Sequence, residues 1–338
     1  MMNSKALVYL FLTAGLFLAT SCFKEDEMVP AHKPGNVLNG QIDLTDTYKY
    51  QVYFDLGTDS VMYSDVKTVW DLGFDCADSS WRIILNSSKF MKLVKTGKTS
   101  LTDFFDTSGA NWIFDPSSGN PDSNSVGNWV DISTEPDNYT NMVYIIDRGQ
   151  DEEGNKLGAK KVQFYKWDNR HFYLRYSNLD GSNTDSCVVI KNPAKNYTGF
   201  SFSKKGYQIE IEPDRNSWDI EFTQYTTILY TDIGHIPTPY LVLGVLLNPN
   251  NVMAAVIYDA DFNKVDFELV KNLPLSSRQD VIGYQWKKYN FTSGIYEVNT
   301  KFTYIIKDTH GFLYKLRFIS FYNNNGDKGY PRFEFVRL

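Results

Sequence analysis

Beyond residue 45 apolar and polar positions alternate over short stretches, the period of half-buried strands. YKYQVYFDL (48–56), WRIILNS (81–87), KKVQFYKW (160–167), HFYLRY (171–176), YQIEIEP (207–213) and KFTYIIKD (301–308) carry the pattern. Aromatic residues make up 16% of the chain, with 23 Tyr and 23 Phe, and bulky rings suit a pleated surface. No long stretch shows helical spacing. The pattern predicts an all-β, mostly antiparallel fold with few short helices.

The N-terminus departs from this pattern. Lys5 precedes an apolar run from Ala6 to Ala19, followed by Thr20, Ser21 and Cys22. As a helix the run would span about 21 Å, short of the ~30 Å hydrocarbon core of a bilayer. Residues 1–21 therefore read as a secretory signal peptide. Small residues before a cysteine resemble the lipobox of bacterial lipoproteins, which implies acylation of Cys22 and attachment to a membrane through acyl chains. Residues 22–39 read as a polar tether. The acidic run after Cys22 resembles the export signal of Bacteroidota surface lipoproteins, which implies the outer membrane and its outer leaflet.

Two segments share pattern and spacing. Phe54, Val61, Tyr63, Trp70, Asp71, Leu72 and Phe74 match Phe202, Ile209, Ile211, Trp218, Asp219, Ile220 and Phe222, each pair 148 residues apart. MVYIID (142–147) and FTYIIK (302–307) match further on. The repeat predicts two related β-rich units, 40–192 and 193–338. Asp71 and Asp219 read as structural hydrogen-bonding groups at strand starts, each beside a buried Trp. A propeller would need more copies.

Removing residues 1–21, whose one charge is Lys5, takes the net charge from −6 to −7. A mildly acidic chain argues against nucleic acid as a partner. Cys76 and Cys187 remain beside Cys22, and an exported chain permits either a disulfide between them or two separate thiols. The sequence contains no zinc-ligand spacing, nucleophile elbow or phosphate loop, so no enzyme is expected. The stretch 107–133 is a long Gly/Ser/Asn/Pro-rich loop carrying Trp112 and Trp129. With Trp167 these rings are candidate stacking platforms for a glycan or peptide.

WDLGFD (70–75), IEPDRNSWDIEFTQYT (211–226), PYLVLGVLLNPNNV (239–252) and the ending FLYKLRFISFYNNNGDKGYPRFEFVRL together resemble the HmuY family of Bacteroidota lipoproteins. The resemblance spreads over residues 45–338. It implies haem as cofactor, captured outside the cell and passed to a TonB-dependent outer-membrane receptor, with no metal site beyond the haem iron. It also implies axial ligands after the Trp-Asp strand, as two His or two Met. Near that place stand His235, in YTDIGHIPTPY, and Met253, in NPNNVMAAV, both side-chain types that ligate haem iron. His171 and His310 read as turn residues, and Met91 and Met142 as strand positions. The other readings are a glycan- or peptide-binding lipoprotein and a structural or adhesive one.

Overall fold

Alternation in the sequence becomes strand in the structure. The computed structural model describes residues 35–203, 207–231 and 233–338. The signal segment 1–21, Cys22, His32 and Gly206 lie outside the described residues. The chain begins with β1 (Leu38–Gln41), β2 (Tyr50–Asp55), β3 (Ser60–Val66), β4 (Leu72–Asp75), β5 (Ile83–Leu85) and β6 (Lys92–Lys95). After a long connection come β7 (Val130–Asp131), β8 (Asn138–Tyr139), β9 (Val143–Asp147), β10 (Ala159–Trp167), β11 (His171–Ser177), β12 (Asp185–Ile190), β13 (Tyr197–Phe200) and β14 (Gln208–Ile209). The remainder holds β15 (Ile220–Tyr230), β16 (Pro237–Leu247), β17 (Met253–Ile257), β18 (Lys287–Asn290), β19 (Ile295–Val298), β20 (Thr303–Lys307), β21 (Leu313–Tyr322) and β22 (Lys328–Arg337). Among the described residues the α-helical content is one turn, Phe267–Val270. The all-β expectation holds.

The strands form two sandwiches. In the first, a sheet ordered β12-β11-β10-β9-β6 packs on one ordered β14-β13-β4-β5, with Phe74, Trp129, Phe164, Phe172 and Phe200 between them. In the second, β1-β22-β21-β20-β17 packs on β16-β15-β2-β3 around Phe54, Phe222, Trp286, Phe318 and Phe333. Paired strands run antiparallel, and each inner face removes its alternate apolar residues from water.

The chain supplies the sandwiches unequally. The first uses β4 to β14 without interruption, while the second takes β1 to β3 from before that stretch and β15 to β22 from after it. Residue 192 lies between β12 and β13, both in the first sandwich. The tether also ends sooner than residue 39, because the Gly35 amide donates to Arg337 O at 3.0 Å and β1 pairs along β22.

The repeat is visible as equivalent pairings. Leu72 lies opposite Phe200, and Ile220 opposite Phe54. The Asp71 amide donates to Phe200 O at 2.7 Å and the Asp219 amide to Phe54 O at 2.9 Å. Each carboxylate then accepts the amide two residues further along, from Phe202 at 2.8 Å and Leu56 at 2.9 Å. Phe54 is thus equivalent to Phe200, not to Phe202 as the ungapped alignment has it. Period-two alternation gives positions 200 and 202 the same face, so sequence spacing does not separate them. The neighbouring strands carry a second mark of the repeat: the Asn86 and Asn248 amides each donate to the Asp carbonyl at 2.9 Å, and their side chains donate to Trp70 O and Trp218 O.

Candidate functional site

The two repeats differ most where the equivalent strands differ in length. β4 and β5 have four and three residues, whereas β15 and β16 have eleven each and pair from Ile220↔Leu247 to Tyr230↔Pro237. β2 covers β15 only at residues 220–222; residues 223–226 and 241–245 stay packed on the body of the protein, and beyond them the two strands project as a ribbon. Pro237 and Pro239 fit because β16 is an edge strand, where a missing N–H breaks no ladder.

One face of the ribbon lines a groove of ≈620 Å³, within the range of about 300–1,000 Å³ usual for small-ligand sites, and Thr226, Ile228, Tyr230, Pro237 and Pro239 form that wall. The facing wall is Trp112, Ile113 and Phe114 from the long connection between β6 and β7, and Arg278 and Asp280 close one side. The connection is held in place: Ile113 and Leu93 exchange backbone hydrogen bonds at 2.9 Å, and the Phe90 and Phe114 ring centroids are 5.1 Å apart. The Asp115 carboxylate accepts from the Leu85 and Ser125 amides at 2.6 and 2.7 Å. Ser117 joins both walls, donating to Asp280 at 2.7 Å with its hydroxyl 3.1 Å from that of Thr227. Arg278 makes two hydrogen bonds to Asp280, at 3.0 and 3.1 Å, which hold its guanidinium above its ordinary pKa.

His235 occupies the ribbon's turn in the left-handed backbone region, at φ 48°. Its ring stacks on Tyr230, with centroids 4.5 Å apart and planes 12° from parallel. Among the described residues neither ring nitrogen has a hydrogen-bond or ion-pair partner. The tip around it is apolar and exposed, with Ile233 at 89% and Ile236 at 58%.

Met253 is elsewhere. It starts β17 opposite Lys307 and shares a separate cavity of ≈450 Å³ with His310. Between His235 and Met253 runs the whole of β16, about 33 Å at ~3.3 Å per residue, so the structure does not bring these two side chains to one iron. The signal overlooked was His310, which the β20–β21 turn sets beside Met253. His171 opens β11, its Nδ1 2.8 Å from Asp168. Met91 is in the first core and Met142 packs against it.

Trp112 is the only one of the three proposed stacking rings on the groove. Trp129 is fully buried against Phe164 and Phe172, its indole N–H donating to Trp81 O at 2.8 Å, and Trp167 is buried in the same core. Trp167 ends β10 and Trp129 directly precedes β7, and both rings pack into the first core.

Cys76 and Cys187 are free thiols. Cys187 lies on β12 opposite Leu174, while Cys76 follows β4 with its Sγ 3.2 Å from the Thr198 hydroxyl. They border different sheets of the sandwich, which pack about 10 Å apart, beyond a disulfide's Cα reach of about 7 Å. Burial pushes both thiols up, Cys187 to about 12. No group of three or more His, Cys, Asp or Glu among the described residues could hold a metal ion, and no described helix is long and apolar enough to cross a membrane.

Fold and groove together define an all-β protein with an open cleft of small-ligand size whose lining mixes aromatic and aliphatic with polar and charged side chains. A family model described as HmuY protein matches residues 47–335. The chain belongs to the HmuY family, whose members bind haem. Among solved structures it is similar to apo PinO from Porphyromonas gingivitis at 11% identity, covering 90% of this chain and 98% of that one, with a TM-score of 0.30. It is also similar to the apo HmuY analog TFO of Tannerella forsythia at 10% identity, covering 90% and 98%, with a TM-score of 0.27. A putative HmuY-like heme-binding protein from Bacteroides vulgatus is 12% identical, covering 52% and 90%, with a TM-score of 0.18. A comparison with curated proteins finds no match.

Proposed function

We propose that the groove between the β15–β16 ribbon and the Trp112 segment captures haem, with His235, on the ribbon's turn outside the groove lining but stacked on Tyr230, as the residue that would ligate the iron. The observation that carries this reading is an imidazole whose nitrogens have no partner among the described residues, stacked on Tyr230, whose own ring lines the groove. Trp112, Phe114, Ile228 and the two prolines offer apolar surface within a lining that is half polar, and His235 would supply an imidazole from the turn beside it. No Met, Cys or His lines the groove, and Tyr230 is its one phenol among the described residues. The bound group would supply iron chemistry, while the chain holds and shields it.

Anchoring through Cys22 on the outer membrane would keep the groove within reach of a TonB-dependent receptor, to which the haem passes. No catalytic step belongs to this reading.

The test is a hemin titration of the mature chain carrying Cys22→Ser, which removes the acylation site. A saturable Soret shift is expected, weakened at least tenfold by His235→Ala and unchanged by Met253→Leu. No saturable shift in either redox state removes the haem reading. Glycan binding abolished by Trp112→Ala would favour the stacking alternative, because that ring lines the same groove.

A further inference from the structure

The haem reading leaves unused a recess behind the groove. It measures ≈100 Å³ and is walled by Tyr53, Trp70, Tyr197, Glu212, Trp218 and Glu221. It shares Leu85, Tyr197 and Leu246 with a second space of ≈90 Å³, which in turn shares Asp115, Pro116 and Ser117 with the groove. The three form one run from the groove mouth inward.

The acids at its end form no ion pair among the described residues. Glu212 is 4% exposed, and its carboxylate accepts from the Asn196 and Tyr197 amides, the latter at 2.7 Å. Glu221 stands half-buried on β15, directly across the ladder from Tyr53. Neither forms an ion pair among the described residues, and the nearby Lys195 is bound to Asp214 at 3.0 Å. Burial pushes Glu212 up to about 7 and Glu221 up to about 8, the latter also through its nearness to Glu212. The first repeat handles its buried acid differently, because Asp71 has both Lys89 and Arg148 against it.

A second observation points to an occupant. Trp218 is 2% exposed, lines the recess, and its indole N–H has no partner. A buried donor left in this way is destabilising unless something fills it, whereas the Glu212 oxygens already accept three hydrogen bonds, the third from the Asn196 side chain, and lack a countercharge rather than a donor. Aromatic faces attract ammonium groups, and carboxylates pair with them. A bare divalent ion would face an aromatic wall and an N–H with only two acids to hold it. The volume admits only a few heavy atoms, since one water already needs about 10–15 Å³ of such space.

We propose that this recess binds a small organic ammonium ion, its charge between Glu212 and Glu221, its carbon part against Trp70, Trp218 and Tyr53, and any hydroxyl near the Trp218 N–H. The site lies at the inner end of the run that opens at the groove, and its test does not depend on haem binding.

The probe is ethanolammonium chloride, added at pH 8 to the mature chain carrying Cys22→Ser, with tryptophan fluorescence and the melting temperature as readouts. Sodium chloride at equal ionic strength and neutral 1,2-ethanediol are the controls. The expected result is a saturable response to ethanolammonium alone, weakened at least tenfold by Glu221→Gln. That variant keeps the side chain's shape and removes a buried charge, so its own melting temperature should hold or rise. Glu212→Gln disturbs the Asn196 and Tyr197 contacts and is the less safe test of the pair. An equal response to either control, an unaltered response in Glu221→Gln, or no saturable response at all would overturn the proposal and leave the recess to water.

Discussion

Asp71 and Asp219 hold the same place in the two repeats but meet different neighbours. Asp71 is fully buried and paired with Lys89 and Arg148, whereas Asp219, among the described residues, accepts the Leu56 and Thr309 amides and the Thr309 hydroxyl and pairs with no cation. Asp71→Asn leaves two buried cations short of a countercharge and should cost about 3–5 kcal/mol. Asp219→Asn loses hydrogen-bond acceptance alone and should cost about 1–3 kcal/mol. Urea unfolding of the two variants measures the difference, and equal losses would show that the Asp71 ion pairs contribute little. The Trp-Asp repeat made the structural role of both carboxylates legible in the sequence. The cations were not, because Lys89 and Arg148 reach Asp71 from separate elements with no fixed spacing.

Buried titrating groups give the pH dependence two opposing slopes. Burial raises Glu212 to about 7, Glu221 to about 8 and Asp219 to about 6. The folded chain therefore binds protons that the unfolded chain has already released, and stability from these groups falls as pH rises from about 4 to about 8. Lys287 is opposite in sign: burial lowers it to about 7, so the unfolded chain binds the extra proton and stability rises from about pH 7 to about 10. Its ammonium lies over Trp286 and Phe321 and donates to Leu243 O at 2.5 Å. Melting curves across pH should show Glu221→Gln flattening the fall and Lys287→Met flattening the rise. Unchanged slopes would mean that these groups titrate alike in both states.

At the scale of elements, the ribbon marks the functional divergence of the repeats. β15 follows the strand pattern from its Trp-Asp start, but YTDIGHIPTPY reads as a loop, because two prolines conceal the first residues of β16. The groove is equally hidden in the sequence, since its second wall comes from a loop more than a hundred residues away whose course depends on Asp115 and Ser117. His235 was legible as a loop imidazole; its stacking on Tyr230 was not. Replacing Thr227–Tyr240 by a two-residue turn would give the second repeat a hairpin closer to β4–β5. The replacement removes Ile228, Tyr230, Pro237 and Pro239 from the groove while leaving Phe222 and Val245 in the core. The melting temperature should stay within a few degrees and hemin binding should be lost. Retained binding would place the haem elsewhere, the Met253–His310 cavity being the next site to test.

At the scale of the whole molecule, the repeat disclosed two copies but not which hairpin completes which sandwich. Both hairpins present the same alternation, and both Trp-Asp strands set an aliphatic residue opposite a Phe, so either arrangement satisfies the pattern. The structure makes the first sandwich continuous in sequence and the second discontinuous, which has a direct consequence for fragments. A chain of residues 67–212 keeps β4 to β14, the Asp71–Lys89–Arg148 cluster and the Phe202 amide that closes it. A chain of residues 40–192 loses β13 and β14 and exposes the edge of β4 that they covered. It also carries β2 and β3 with no β15 to pair with. The fragment 67–212 should therefore unfold cooperatively in urea with a fixed near-ultraviolet signal from Trp129, while 40–192 should not. Cooperative unfolding of 40–192 alone would mean that β2 and β3 can take the place of β13 and β14 beside β4, and that the repeats exchange hairpins as readily as their shared alternation allows.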